Sequence, residues 1–160
     1  MNVKRRISDL VLLVLEKSVD GYVIFEDFIY NPLLERPVKK SALSQALKRL
    51  REDGMIELIT DKKLAFRLTD KGREKAVLAS LKFDDKKWDG KWRLVIFDVP
   101  EKRRKARDLL RSKLKQWGFT IFQQSVWGTK KNCTKALRDY IKSVGIEDWV
   151  MVVESDDLGR

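Results

Sequence analysis

A single helix between residues 38 and 54 constrains the fold most, because only one of its sides can be buried. Its apolar residues recur at helical spacing and therefore fall on one side. They are Ala42, Leu43, Ala46, Leu47 and Leu50. Gly54 ends the predicted helix, since glycine readily adopts a left-handed backbone. The other side of the helix is polar and basic, and is predicted to remain in solvent.

Two short predicted strands follow this helix at once. Met55–Thr60 and Leu64–Leu68 carry residues typical of strands, and they flank the turn Asp61-Lys62-Lys63. A helix with a polar outer face followed by a lysine-tipped hairpin is the order of a DNA-reading helix and its wing. The alternative is a solvated helix face on a small α+β domain that binds no nucleic acid.

The polar helix face and the hairpin tip supply the candidate DNA contacts. Ser, Gln, Lys and Arg side chains can bond phosphates as well as base edges in a major groove. The predicted base-edge contacts are Ser41, Ser44, Gln45 and Lys48. The predicted phosphate contacts are Lys39, Arg49, Lys62 and Lys63, and Lys40 and Arg51 complete the predicted surface.

The charge of the chain indicates an acidic partner. The 160 residues include 35 Lys and Arg against 24 Asp and Glu, a net charge of +11. The excess is spread evenly: residues 1–82 hold 17 basic and 12 acidic residues, and residues 83–160 hold 18 and 12. Nucleic acid is the first expectation and an anionic membrane surface the second. The membrane ranks lower because the helices have predicted cores in which to bury their apolar sides.

The scarcity of histidine and cysteine limits the catalytic and metal-binding sites that the chain can form. The chain contains no histidine, which excludes histidine-based catalysis and most transition-metal sites. Its one cysteine, Cys133, excludes an internal disulfide and a cysteine-rich zinc site, and is predicted to be a small buried residue. No apolar run reaches the roughly 18 residues of a membrane span, and the first residues do not form a secretory signal. We therefore expect a cytoplasmic protein.

The first half is predicted to place helices around the hairpin. Helices are expected over Ile7–Lys17, near Phe25–Tyr30, and from the end of the hairpin to about Leu81. Three helices, a wing and a closing helix predict a winged helix-turn-helix domain over residues 1–82. The polar residues 83–90 are the predicted linker.

The second half changes to an alternation of strands and helices. The predicted elements are a strand at Trp92–Asp98, a helix at Lys102–Trp117, extended chain at Phe119–Trp127 bent near Gln124-Ser125, a helix capped by Asn132 and ending at Ser143, and a strand at Trp149–Val153. The first of these helices is predicted to bury Ala106, Leu109, Leu110, Leu114 and Trp117. The order β-α-β-β-α-β predicts a ferredoxin-like domain over residues 91–160, in an α+β chain.

The motif WDGKWRLVIFDVPEKRRKARDLLRSKLKQWGF, followed by QQSVWG, resembles the phenylacetic-acid repressor family, the PaaX-like transcriptional regulators. The resemblance is strongest over Trp88–Gly128 and only architectural over the first half. Members join an amino-terminal winged helix to a ferredoxin-like domain that looks like the small nuclease-like subunit of the CRISPR spacer-integration complex. The resemblance implies a homodimeric repressor that binds double-stranded DNA at an inverted repeat. Because the chain stops at Arg160, without the longer region usual in the family, no acyl-coenzyme A effector is assigned to it.

Asp98 carries an alternative function through the same resemblance. In the CRISPR subunit an Asp at the end of the first strand is the proposed metal ligand and catalytic residue, and Asp98 occupies that place in LVIFDVPE. Two copies facing across a dimer axis would hold one magnesium ion, as in an endonuclease or adaptor related to CRISPR adaptation. Otherwise Asp98 caps the helix starting near Glu101, or pairs with Arg103 or Arg104. Since one carboxylate is a weak magnesium site, we expect neither a cofactor nor an enzymatic activity.

A second basic cluster opens the first helix of the predicted ferredoxin-like domain. It comprises Lys102, Arg103, Arg104, Lys105, Arg107 and Arg111. Cations in the first turns of a helix oppose its dipole by roughly a few tenths of a kcal/mol each. This mismatch favours contact with a duplex backbone, and a solvated face is an equal alternative. Four of the five tryptophans are predicted to lie in the core or in a dimer interface; they are Trp92, Trp117, Trp127 and Trp149.

Overall fold

The structure, a computed structural model, describes residues 6–34, 37–60, 62–82 and 87–159. Asp61 of the predicted turn and residues 83–86 of the predicted linker lie outside the described residues. The chain divides into two compact units, Met1–Ala79 and Ser80–Arg160, and each contains both helices and a sheet. The α+β class predicted from the sequence is therefore confirmed.

The first part of the chain surrounds a small antiparallel sheet with helices. Its elements are α1 (Ile7–Glu16), β1 (Val23–Ile24), α2 (Phe25–Ile29), α3 (Lys40–Glu52), β2 (Ile56–Thr60), β3 (Ala65–Leu68) and α4 (Asp70–Lys82). The sheet has the order β1-β3-β2. Strand β1 was not predicted, because two residues are too few to show alternation; it is recognised only by its pairing of Val23 with Phe66 and Ile24 with Ala65.

The core of the first unit fixes the orientation of α3. Leu43, Leu47 and Leu50 of this helix are buried together with residues of α1, Phe28 and Phe66. Because a fully buried leucine typically contributes about 2–5 kcal/mol over alanine, these side chains determine which side of α3 faces inward. The polar side is consequently held outward.

The second unit alternates strands and helices in the predicted order. Its elements are β4 (Trp92–Phe97), a 3-10 turn (Glu101–Arg103), α5 (Arg104–Gln116), β5 (Thr120–Gln123), β6 (Val126–Thr129), α6 (Thr134–Ser143), a second 3-10 turn (Glu147–Trp149) and β7 (Val150–Ser155). The strands form one sheet in the order β5-β6-β4-β7, and every pairing is antiparallel. The predicted bend at Gln124-Ser125 is the turn between β5 and β6.

The central strand β4 separates two faces of this sheet. Arg93, Val95 and Phe97 are buried, whereas the alternate residues of the strand are only partly buried. The helices contribute buried apolar side chains to the same unit, namely Leu110, Leu114, Leu137, Tyr140 and Ile141. Trp117 and Tyr140 meet edge to face, with ring centroids 5.2 Å apart. The buried face therefore has an ordinary apolar core with one exception, Arg93.

Three details of the second unit were predicted wrongly. Leu109 is 46% exposed, because Leu110 and Leu114 form the buried line of α5 and Leu109 is rotated away from it. Asn132 is not the N-cap of α6; that position is Cys133, which makes no capping side-chain hydrogen bond. Trp149 lies in the 3-10 turn, and the last strand begins one residue later and extends to Ser155.

Candidate nucleic-acid interface

Helix α3 presents one continuous polar surface to solvent. Every residue predicted to contact DNA from this helix is exposed: Lys40, Ser41, Ser44, Gln45, Lys48, Arg49 and Arg51, with Lys39 exposed at the N-cap. On the opposite side, Leu43, Ala46, Leu47 and Leu50 are buried and Ala42 is partly buried. The structure therefore brings together on one surface the residues that the sequence places there.

The ends of α3 are formed as the sequence predicts. The helix closes where Asp53 and Met55 donate their N–H groups to the carbonyls of Arg49 and Leu50, at 2.9 and 2.8 Å. Gly54 has a φ of +74°, the left-handed conformation that allows this termination. Arg49 and Arg51 in the last turn are favourable with the helix dipole, whereas no acidic residue occupies the first turn. The first turn therefore suits a negatively charged ligand better than a cation.

Most cations of this surface have no acidic partner within the described part of the chain. Lys48 lies 3.9 Å from Glu52, an exposed pair that contributes little in water. Lys39, Lys40, Arg49 and Arg51 make no ion pair with any residue that the structure describes. Their charges consequently remain available to an external anion.

The hairpin that follows α3 carries two exposed lysines. Lys62 and Lys63 lie in the turn between β2 and β3, and the N–H of Lys62 donates to Oγ1 of Thr60 at 3.3 Å. Farther from the tip, Arg67 of β3 pairs with Glu57 of β2, so that charge is internally neutralised. Lys62 and Lys63 at the tip are thus the hairpin cations that can bind an external anion.

The second basic cluster is more extensively paired than its sequence suggests. Glu101 lies 3.8 Å from Arg104 and 3.2 Å from Arg107, and Arg107 also lies 3.8 Å from Asp108. Two other guanidinium groups stand 5.6 Å from aromatic centroids, Arg103 over Trp149 and Arg111 over Phe97. Lys102 and Lys105 are exposed and make no ion pair among the residues described.

Asp98 lies directly after β4 and is exposed. Its backbone N–H donates to the carbonyl of Trp149 at 2.9 Å. Neither structural role predicted for its carboxylate is found: the 3-10 turn at Glu101 has Pro100 at its N-cap without a side-chain bond, and Arg104 pairs with Glu101 instead. Within the described ranges no three His, Cys, Asp or Glu residues cluster as metal ligands.

A buried arginine forms the main ionic network of the second unit. Only 2% of the Arg93 side chain is exposed, and its guanidinium bonds both carboxylate oxygens of Asp89 at 2.8 and 2.5 Å. It also donates to the carbonyls of Lys91 and Lys130 and lies 3.6 Å from Glu154. Sequence analysis missed this network; the available signal was a charged residue at an inward position of the strand Trp92–Phe97.

The network shifts the pKa of each of its charged groups. Hydrogen bonding from Arg93, followed by the N–H of Lys91, lowers the pKa of Asp89 to about 2. The hydrogen bond with Asp89 raises the pKa of Arg93. The pKa of Glu154 is lowered chiefly because the Thr134 hydroxyl donates to it at 2.6 Å. All three groups are therefore stabilised in their charged forms.

Aromatic contacts hold the residues next to Asp89 in the same unit. The indole N–H of Trp88 donates to the carbonyl of Lys91 at 2.8 Å. The ammonium of Lys130 lies 4.5 Å from the Trp88 ring and 5.3 Å from the Trp92 ring. The chain entering β4 is thus fixed on both sides of Asp89, and Trp88 makes defined contacts although 46% of it is exposed.

Comparison with known proteins gives a family match within the second unit. Residues 85–160 match the family model described as the PaaX protein central Cas2-like domain. This match supports the PaaX-like family and leaves α3 and the hairpin outside the matched residues. No curated protein matches the chain. In the part of the chain that the structure describes, none of the helices is both long and apolar enough to cross a membrane.

Proposed function

We propose that the protein is a sequence-specific DNA-binding transcriptional regulator that represses its target promoter. The observation that carries this proposal is the surface of α3, which is exposed and polar, and most of whose cations have no acidic partner among the described residues. The basic excess of the chain and the match to a domain of PaaX proteins support it. A helix that merely covered a core would not need Lys39, Lys40, Arg49 and Arg51 on its outer side, where none of them pairs with a described acidic residue.

The proposal assigns a role to each part of the chain. Residues 1–82 form a winged helix-turn-helix domain, in which α3 is the reading helix and β2 and β3 form the wing. Residues 91–160 form a ferredoxin-like domain that pairs two protomers, and residues 83–90 join the two domains. The order β-α-β-β-α-β and the antiparallel strand order β5-β6-β4-β7 support the ferredoxin-like fold of residues 91–160.

Recognition would divide between base edges and phosphates. With α3 in a major groove, Gln45 can bond adenine and Lys48 can bond guanine, while Ser41 and Ser44 can bond either. The phosphate contacts would come from Lys39, Lys40, Arg49, Arg51, Lys62 and Lys63. Phosphate contacts position the protein, and base contacts give it sequence preference.

The proposed homodimer determines the form of the operator. Two protomers related by a twofold axis present two copies of α3, which read an inverted repeat. Their half-sites should be separated by about 10 base pairs or a multiple of that distance, so that both helices meet the same side of the duplex.

Genome-wide selection of bound DNA fragments tests the proposal. The wild-type protein should enrich fragments that share an inverted repeat near promoters, and it should lower expression from a reporter carrying that repeat. The matched control is the double variant Gln45→Ala, Lys48→Ala, which keeps the buried side of α3 intact and should lose the enrichment. Circular dichroism verifies that the variant folds. Wild-type protein that enriches no common sequence would contradict the proposal.

A further inference from the structure

The tip of the hairpin contains an unusual backbone conformation. Leu64 has a φ of +43°, whereas the other residues with positive φ in the described part of the chain are glycines. Bulky side chains rarely adopt this conformation, because the Cβ atom approaches the backbone too closely. A leucine at this position therefore calls for a specific reason.

The backbone conformation itself follows from the contacts on either side. Ala65 pairs with Thr60 of β2 and with Ile24 of β1, so β3 must begin directly after Leu64. The carbonyl of Leu64 accepts the N–H of Phe25 at 3.1 Å, which fixes the orientation of the intervening peptide. A left-handed residue is needed to close such a turn, and glycine or asparagine is the usual choice.

The leucine side chain lies outside the described core cluster of the first unit. Leu64 is 46% exposed and is not among the described apolar residues that pack against the core of the first unit. Its neighbours Lys62 and Lys63 are also exposed. The tip thus presents one apolar side chain beside two cations, on the hairpin that directly follows α3.

We infer that Leu64 is an apolar contact to the minor groove of duplex DNA. The inference rests on the proposed function, in which α3 occupies the adjacent major groove. Lys62 and Lys63 would bind phosphates at the edge of the groove, and the leucine would pack on sugars and base edges within it. Apolar side chains are used in this way by proteins that bind the minor groove. This contact with DNA would explain why a leucine, and not a glycine, occupies the left-handed position.

Three substitutions separate the side chain from the backbone. Leu64→Gly and Leu64→Asn both tolerate the left-handed conformation but remove the apolar side chain, and neither should lower the melting temperature. Each should weaken binding to the selected operator about tenfold, the loss expected for part of a buried leucine. Because no charge is removed, the slope of log K against log salt should not change. Leu64→Met retains apolar bulk and should bind within about twofold of wild type.

The groove is identified by base analogues. Replacing G·C with inosine·C at the positions protected by the hairpin removes only the amino group in the minor groove. This replacement should change the affinity of the wild-type protein for the operator. The corresponding change for Leu64→Gly should differ from the wild-type change by at least about twofold. Equal responses would place the side chain outside the minor groove and overturn the inference.

The remaining outcomes are equally distinct. Wild-type affinity in both Leu64→Gly and Leu64→Asn would overturn the inference while leaving the proposed function intact. An equal loss in Leu64→Met would also overturn it, because the effect would then not depend on an apolar side chain. If the wild-type protein binds no operator at all, the proposed function fails, and the inference fails with it.

Discussion

The two basic surfaces of this protein are both rich in Lys and Arg, but their cations are paired differently. Along α3 and the hairpin tip, the cations face solvent, and the one ion pair among the described residues of that helix joins Lys48 to Glu52 at 3.9 Å. Near the start of α5, Glu101 forms ion pairs with Arg104 and Arg107. Arg103 and Arg111 lie against aromatic rings. Net charge is therefore a poor guide to which surface can release counterions on binding DNA.

The difference indicates separate roles for the two surfaces. A cation already paired with a carboxylate must lose that partner before it gains a phosphate, so its net contribution to binding is smaller. The surface of α3 has no such cost at most positions. We therefore expect the first unit to supply most of the salt-dependent DNA affinity.

The largest predicted effect is the loss of phosphate contacts from the first surface. Replacing Lys39, Arg49, Lys62 and Lys63 together by Gln should reduce the slope of log K against log salt by about four. At about 0.1 M salt, the affinity for operator DNA should fall by about a hundredfold. The matched control replaces Arg103, Arg104, Arg107 and Arg111, which lie against Glu101 or aromatic rings, by Gln. It should change the slope by about one or less. Equal losses in both variants would remove the distinction between the surfaces.

A smaller effect is predicted for the side chains that would read bases. Gln45→Ala and Lys48→Ala should each cost about 1–3 kcal/mol in binding to the selected operator. Neither should matter comparably on random DNA, since base contacts are lost only where the correct base is present. Titration against both kinds of fragment measures the difference. Equal losses on random DNA would mean that these side chains contact only phosphates.

The second unit contains an ion pair between the buried Arg93 and the partly exposed Asp89, and its stability should therefore change in acid. The pKa of Asp89 is lowered in the fold to about 2 from an ordinary 3.8. As the pH falls, Asp89 is therefore protonated in the unfolded chain before it is protonated in the folded one. The stabilisation from Asp89 is complete above about pH 4 and is lost as the pH falls towards about 2. Asp89→Asn should be less stable at neutral pH and should show a shallower decline in this window. Denaturant titrations at a series of pH values measure both slopes, and parallel profiles would contradict the prediction.

The same comparison shows what sequence can predict. The bounds of α3 follow from helical periodicity and Gly54, and the outcome differs by one or two residues at either end. Its exposed surface is predictable because an amphipathic helix has only one way to bury its leucines. The order of strands and helices in the second unit is likewise encoded in local patterns, which change period at Gly118 and again after Thr129.

Contacts between distant residues account for the errors. Strand β1 exists only through its pairing with β3, and the position of Leu64 in the turn depends on a bond to Phe25. Arg93 is recognisable as an inward residue, but its partners Asp89 and Glu154 are 4 and 61 residues away in sequence. Glu101 likewise reaches Arg104 and Arg107 only once the turn before α5 has formed. No local pattern contains the contacts with β3 or with Glu154, whereas the pairs Arg93–Asp89 and Arg104–Glu101 join residues only four and three positions apart.

Releasing the paired arginines should make the second surface more like the first. Glu101→Gln removes the carboxylate that Arg104 and Arg107 share. Affinity for random DNA should rise about twofold to threefold at low salt, with a slightly steeper salt slope. Glu147→Gln is the matched control, because it removes one exposed charge of the same unit that makes no ion pair among the described residues. If both variants behave alike, the added charge matters and the pairing does not.

The smallest predicted effect concerns Asp98. Its carboxylate was expected to pair with Arg103 or Arg104, but Arg104 pairs with Glu101. Asp98 is exposed and its side chain makes no bond within the residues that the structure describes, so Asp98→Ala should leave stability and operator affinity unchanged. Incubation of wild type and variant with magnesium or manganese and labelled DNA or RNA should show no cleavage that depends on this residue. Metal-dependent cleavage by wild type that disappears in the folded variant would instead make the second unit an endonuclease, with the carboxylates of two protomers as ligands. The second surface would then hold nucleic acid for cleavage, and its paired arginines would need to exchange their carboxylate partners for the substrate.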